Sequence, residues 1–225
     1  MLPADIEPLV NHLIQILQRT APCQIDEDDE EEGAAAGEQS EYDAALISAA
    51  CDLVGTIATV LGEEFAPMFP TFLPAMKQYY VCRSSPVFAS PSLMTFGIQD
   101  VTRSSGDRST AIGSLAEIVN GMGAGVSPFT SDLFTLFLGA LNDPETEVQS
   151  NAAFAMGSLV LATTTDISSQ YLTILGALHP LFEIGVEAKK DNARDNACGA
   201  VARMILKNQA ALPLDQVSTS SLPLA

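Results

Sequence analysis

The chain has 225 residues, 47% apolar and 17% charged, with 28 acidic against 10 basic side chains and a formal charge of −18. That apolar share is enough for a continuous core. The charge repels phosphate backbones and anionic lipid, so nucleic acid and membrane surfaces are poor partners, and basic proteins are the natural complement.

From the N-terminus, residues 5–20 (DIEPLVNHLIQILQRT) place Ile6, Leu9, Leu13, Ile16 and Leu17 on one helical face. Asp5 reads as the N-cap, and Ala21-Pro22 as the stop. A run of seven acids, Asp26 to Glu32, follows within an insert at 24–40 that cannot bury enough apolar area to fold and is expected to be disordered. Without the run, 21 acidic and 10 basic residues still leave −11, so the acidity is general. Helical periodicity resumes at 41–61. It continues over 65–81, where Pro67, Pro70 and Pro74 should kink the helix or delay its start. Residues 83–105 are Ser- and Pro-rich and read as a loop. Further helices are expected over 107–122, 128–141, 145–162, 168–186 and 192–208, with a frayed tail at 211–225. Strand-like alternation is scarce, so the fold class is all-α. The N-terminus lacks a basic n-region, and no stretch reaches the ~18–20 uninterrupted apolar residues of a membrane span.

Alternate helices repeat one another. SAACDLVGTI (48–57), STAIGSLAEI (109–118), SNAAFAMGSL (150–159) and DNACGAVARM (195–204) stack without gaps. Ala50, Ala111, Ala152 and Ala197 form one column, and Val54, Leu115, Met156 and Val201 the next. Gly55, Ala116, Gly157 and Ala202 form a third, and Ile57, Ile118, Leu159 and Met204 a fourth. Small residues let a neighbouring helix approach closely, and the large ones beside them fill the gap. The column spacings are 61, 41 and 45 residues; the last two match the ~40–47 residues of a HEAT or armadillo unit. The loop at 83–105 accounts for the longer first interval. The chain is therefore expected to form a HEAT-repeat (armadillo-like) right-handed α-solenoid of about four helix pairs, near 5–62, 65–124, 126–163 and 167–208. In such a stack, inserts emerge at an edge without disturbing the core.

Catalytic and metal-binding patterns are absent. Cys23, Cys51, Cys82 and Cys198 lie far apart without a CxxC, and His12 and His179 are isolated. Cys51 and Cys198 fall in apolar helix patterns and read as reduced, small core residues. No GxSxG, HExxH or P-loop occurs, so neither enzyme activity, metal nor cofactor is expected. Gly121, Gly123 and Gly125 follow a helix rather than a strand and fit a C-cap or hinge better than a phosphate loop.

PTFLPAMKQYY, RSTAIGSLAEIVNGMG and LNDPETEVQSNAAFAMGSL resemble the importin-β (karyopherin-β) superfamily, most closely its importin-four branch. Asp143, Pro144, Val148, Asn151, Ala152 and Ala153 carry a motif that generic HEAT repeats share; the acidic insert and DNACGAVARMI narrow the likeness. The resemblance covers roughly residues 5–210 and implies a segment from the C-terminal half of a much longer nuclear transport receptor. It implies histones and ribosomal proteins as basic cargo, nucleoporins and Ran-GTP as partners of the full-length receptor, and shuttling between cytoplasm and nucleus. The Ran site would lie outside this segment.

The expected cargo-binding residues are the run Asp26, Glu27, Asp28, Asp29, Glu30, Glu31 and Glu32, together with Glu147, Asn151, Asp195 and Asn196 on second helices. An Asn amide can donate to and accept from a peptide backbone. Each Asn could equally cap a turn or bond within its own repeat. The acids near helix starts could equally complement the helix dipole. A static HEAT-repeat scaffold, or a histone-chaperone-like binder without transport, is the alternative reading.

Overall fold

A computed structural model describes residues 6–24, 35–80, 104–183 and 188–212, with side chains described from 41 and from 192 onward in the two helices that begin at 35 and 188. Helix α1, Glu7–Leu17, carries Pro8 in its first turn, where the missing N–H has no intrahelical partner to lose. Its buried stripe is Val10, Leu13, Ile16 and Leu17, whereas Leu9, expected to be inside, is 41% exposed. The helix ends three residues earlier than the Ala-Pro stop suggests. Arg19 turns the chain with a left-handed φ of 57°, and the Leu17 carbonyl accepts hydrogen bonds from Gln78 Nε2 and Tyr79 Oη, both at 2.6 Å. The Arg19 and Thr20 amides close the end locally on the Ile16 and Gln15 carbonyls, and a distant helix end satisfies the Leu17 carbonyl. Asp5 lies outside the described residues.

Helix α2, Ala35–Leu61, begins six residues before its apolar period and is followed by Gly62 at φ 56°. The stretch Glu41–Phe65 contains an 18-residue window of mean hydropathy 1.9 and is long and apolar enough to cross a membrane by length and composition. In the fold its Ile47, Cys51, Val54 and Ala58 are buried, and α2 packs on α1 and on α4. Helix α3, Phe69–Lys77, starts late, as its prolines require: a 3-10 turn holds Gly62–Phe65, Pro70 sits in the first turn and Pro74 lies inside. Phe65 stacks on Phe72 at 5.8 Å, and Phe69 meets Phe129 edge-on at 4.9 Å.

Helix α4, Ser105–Met122, is capped by Ser104, whose Oγ accepts from the Asp107 amide at 3.0 Å. Except for Ser104 and Ser105, which cap and open this helix, the loop expected at 83–105 lies outside the described residues. A 3-10 segment, Gly123–Phe129, leads into α5, Thr130–Ala140. Helix α6 is Thr146–Ala162, α7 is Tyr171–Phe182 and α8 is Ala188–Asn208, the last beginning four residues before its expected start.

Eight α-helices and no strand are found among the described residues. The second helices α2, α4, α6 and α8 pack in succession; α1, α5 and α7 lie against α2, α6 and α8, while α3 touches α1 and α4. This is the all-α, two-layer stacking of a HEAT-type solenoid.

The repeat columns form the core between second helices. Ala50, Ala111, Ala152 and Ala197 are all buried, as are Val54, Leu115 and Met156. The column partners at the two ends depart from this: Ile57 and Val201 are half-buried, and Ala202 is exposed. Cys51 is buried, and burial pushes its thiol up to about 11, so it stays protonated and inert at neutral pH. Cys198, expected in the core, is exposed. The three glycines of NGMGAG divide the work of a helix end. Gly123 takes φ 54° at the C-cap of α4, while a Cβ on Gly121 would lie 2.7 Å from the Thr59 amide nitrogen, and one on Gly125 2.9 Å from Glu63 Cα.

Candidate functional site

The Asp-Pro turn before α6 is an anchor. Asp143 is 1% exposed and Arg108, from the first turn of α4, 4%. Arg108 donates from Nε to Oδ2 at 3.0 Å and from Nη2 to Oδ1 at 3.1 Å. Asp143 Oδ1 also accepts from the Glu145 amide at 2.9 Å, and the Asp143 carbonyl accepts from Gln149 Nε2 at 2.8 Å. The bond to Asp143 raises the pKa of Arg108 further, so the guanidinium stays charged. Tyr80 lies close enough to feel both charges. Burial first, then the Asp143 carboxylate, raises its phenol, which stays neutral. Sequence reasoning took Asp143 as a motif residue and missed its partner; the only signal was an arginine directly before a buried repeat column.

Asn151 and Asn196 play one part in two successive repeats. Asn151 Nδ2 donates to the Ser109 carbonyl at 3.1 Å and to Ser109 Oγ at 3.0 Å. Asn196 Nδ2 donates to the Ser150 carbonyl at 3.1 Å and to Ser150 Oγ at 3.0 Å. The carbonyl can only accept, which fixes the orientation of both amides. Each Asn therefore bonds to the preceding repeat, neither capping a turn nor bonding inside its own unit. Ser109 Oγ also donates to Glu147 Oε1 at 3.0 Å, so Glu147, Ser109 and Asn151 form one chain of hydrogen bonds. Asn151→Ala and Asn196→Ala are each expected to lower stability by about 0.5–1.5 kcal/mol, read as a shift in urea midpoint. Asn151 should be the costlier, because its serine also holds Glu147; equal or negligible losses would show that these amides are not staples.

Glu147, exposed and in the first turn of α6, suits the positive end of that helix. Asp195 is exposed too, but it is the eighth residue of α8, beyond the reach of a terminal dipole. Its expected place near a helix start is therefore corrected by the earlier beginning of α8. Asp26 to Glu32 lie outside the described residues.

Two exposed acids that sequence reasoning passed over, Asp52 on α2 and Glu117 on α4, border a groove of about 390 Å³ with Thr56, Val60 and Gly113. Their signal was positional: both interrupt the apolar stripe of a second helix. Farther along the same layer, Arg203 of α8 lies 4.9 Å over the Phe154 ring of α6. Asp52 and Glu117 thus share one groove between α2 and α4, and Glu147 and Asp195 are exposed on α6 and α8.

A HEAT-type α-solenoid whose second helices carry exposed acids is a class of protein-binding scaffold. No family model matches the chain. The chain is 37% identical over 222 residues to the probable importin subunit beta-4 of Schizosaccharomyces pombe, covering 94% of this chain and 19% of that protein. It is 33% identical over 221 residues to human importin-4, covering 98% of this chain and 18% of that protein, and also 33% identical to mouse importin-4 over 205 residues. The chain belongs to the importin-β superfamily as an importin-4-type segment, and spans less than a fifth of the length of these relatives.

Proposed function

We propose that this chain is a cargo-contacting segment of a nuclear transport receptor, holding Lys/Arg-rich stretches of basic proteins such as histones and ribosomal proteins for import. The supporting observation is that each second helix carries an exposed acid, Asp52, Glu117, Glu147 and Asp195, in a chain of net charge −18. The acids are carried on a layer tied by Asn151 and Asn196, so little ordering is required when a peptide binds. The run from Asp26 to Glu32 adds long-range attraction that raises the encounter rate. Nucleoporins and Ran-GTP are partners of the full-length receptor, with the Ran site outside this segment, and the receptor shuttles between cytoplasm and nucleus.

The test is a fluorescence titration of the purified chain with a histone-tail peptide at low and physiological salt. Binding weakens steeply as salt rises, because exposed charges are screened beyond about 8 Å at physiological ionic strength. Replacing residues 26–32 by Gly/Ser weakens low-salt binding about tenfold, since several exposed pairs at ~0.2–1 kcal/mol each readily reach the 1.4 kcal/mol that a factor of ten represents. Asp52→Asn with Glu117→Gln weakens it further. Affinity indifferent to salt and to all these changes would sink the proposal.

A further inference from the structure

The repeat register extends to the polar side of the second helices. Asp52, Gly113, Phe154 and Gly199 hold one equivalent position on α2, α4, α6 and α8. Thr56, Glu117, Ser158 and Arg203 hold the position four residues on, one turn along the same face. Toward α2 these positions are acidic, with Asp52 and Glu117 on the groove described above. Toward α8 they carry Arg203. Phe154 is half-buried, and both neighbouring helices have glycine at its position, so neither Gly113 nor Gly199 sets a side chain beside its ring. Arg203 lies over that ring at 4.9 Å. Its Nη1 stands 3.2 Å from where a Cβ on Gly157 would be and 3.4 Å from where one on Gly199 would be, so the guanidinium rests in space that two glycines leave.

Among the described residues Arg203 forms no ion pair and donates no hydrogen bond, in a chain with 28 acids against 10 bases. We propose that Arg203, held by Phe154, is an anion subsite, and that its ligand is an Asp or Glu side chain of the same bound segment whose Lys or Arg enters the Asp52–Glu117 groove. The inference rests on the cargo-binding reading and adds a register to it. Stacking engages only the face of a guanidinium. The edge remains a fork of N–H donors that takes a carboxylate through two parallel bonds. Because the ring fixes the side chain beforehand, less freedom is lost when the carboxylate arrives. Glu117 and Arg203 hold equivalent positions two helices apart, which at about 8–10 Å per helix contact is about 16–20 Å. An extended peptide rises about 3.3 Å per residue and returns its side chains to one face at even spacings, so about six residues separate the basic from the acidic side chain. The partner is a basic segment with an acid at that spacing, rather than any stretch of uniform positive charge.

Fluorescein-labelled Gly/Ser peptides, each with a trio of lysines, test this by titration with the full chain at low and physiological salt. The first has a glutamate six residues to either side of the trio. The second has glutamines there, and the third has its glutamates two residues from the trio. Attraction to net charge alone favours the glutamine peptide, the most basic of the three, for a chain of −18. The subsite gives the opposite order: the first peptide binds about fivefold more tightly than either of the others, the scale of one well-formed charge pair. Arg203→Gln removes that preference and leaves the glutamine peptide the tightest, whereas Arg203→Lys keeps part of it. Arg203→Glu binds a fourth peptide, with lysines at both outer positions, more tightly than the wild type does, a gain that a misfolded variant could not show. A first peptide no tighter than the second, or a preference that survives Arg203→Gln, overturns the subsite while binding of basic peptides stands. If none of the peptides binds, the cargo-binding reading fails and the subsite falls with it.

Discussion

Asp143→Ala lowers the unfolding free energy by about 3–5 kcal/mol, a large part of the ~5–15 kcal/mol a folded domain possesses. The loss is large because Arg108 is left charged, buried and without its bidentate partner, and the intrinsic basicity of a guanidinium removes any escape by deprotonation. The same substitution removes the acceptor of the Glu145 amide and frees the turn that begins α6. Asp143→Asn keeps an oxygen for that amide but surrenders the charge, so it falls between wild type and Asp143→Ala. The double change Arg108→Met with Asp143→Leu removes both ions together and should be less destabilising than Asp143→Ala alone, since two desolvation costs vanish with the attraction. Urea unfolding checks the series through midpoints at constant slope. An Asp143→Ala loss below about 1 kcal/mol would mean that water reaches the guanidinium and that the pair does not lock α4 to the turn.

Much of this architecture is legible in the residues because HEAT-type packing is local and repetitive. The alanine column of α2, α4, α6 and α8 stands in register and is buried throughout, and helix boundaries governed by nearby residues, such as those of α6, lie where periodicity puts them. Legibility fails where the decisive partner is far away in sequence. The Leu17 carbonyl at the end of α1 is satisfied by Gln78 and Tyr79, some sixty residues on, and no local pattern carries that information. Ala202 and Cys198 look like core in the sequence and are exposed because no described helix lies against that side of α8. At the candidate site, Asn151 and Asn196 stood out in the sequence as a recurring pair, but their role as ties to the preceding repeat depends on which atom faces the Ser109 and Ser150 carbonyls. Arg108 was hidden for a different reason: arginine is rarely interior unless paired, and its pair lies across a helix hairpin.

Gly157→Ala is expected to destabilise the protein by about 1–3 kcal/mol, although alanine is favoured over glycine inside a helix by about 1 kcal/mol. The new Cβ would lie 2.7 Å from Ala200 Cα and 3.1 Å from Ala200 Cβ. The nearer atom is backbone, so the clash cannot be relieved by a rotamer change, and α8 must move away from α6. That movement stretches both bonds from Asn196 to Ser150. Gly121→Ala meets the same obstacle between α4 and α2, with Thr59 N at 2.7 Å and Thr59 Cα at 2.9 Å. Gly139→Ala supplies the opposite case. Gly139 lies within α5 with nothing within 4 Å of the added carbon, so only the propensity and chain-entropy gain remains, about 0.4–1 kcal/mol in favour of the folded state. Thermal unfolding distinguishes the cases, because each kcal/mol moves the midpoint by about 2–4 °C in a chain of this size. Downward shifts at Gly157 and Gly121 beside an upward shift at Gly139 place the constraint in the spacing between second helices. A shared upward shift at all three positions would mean that propensity outweighs helix contact, and that glycine in the repeat column does not set how closely α8 approaches α6.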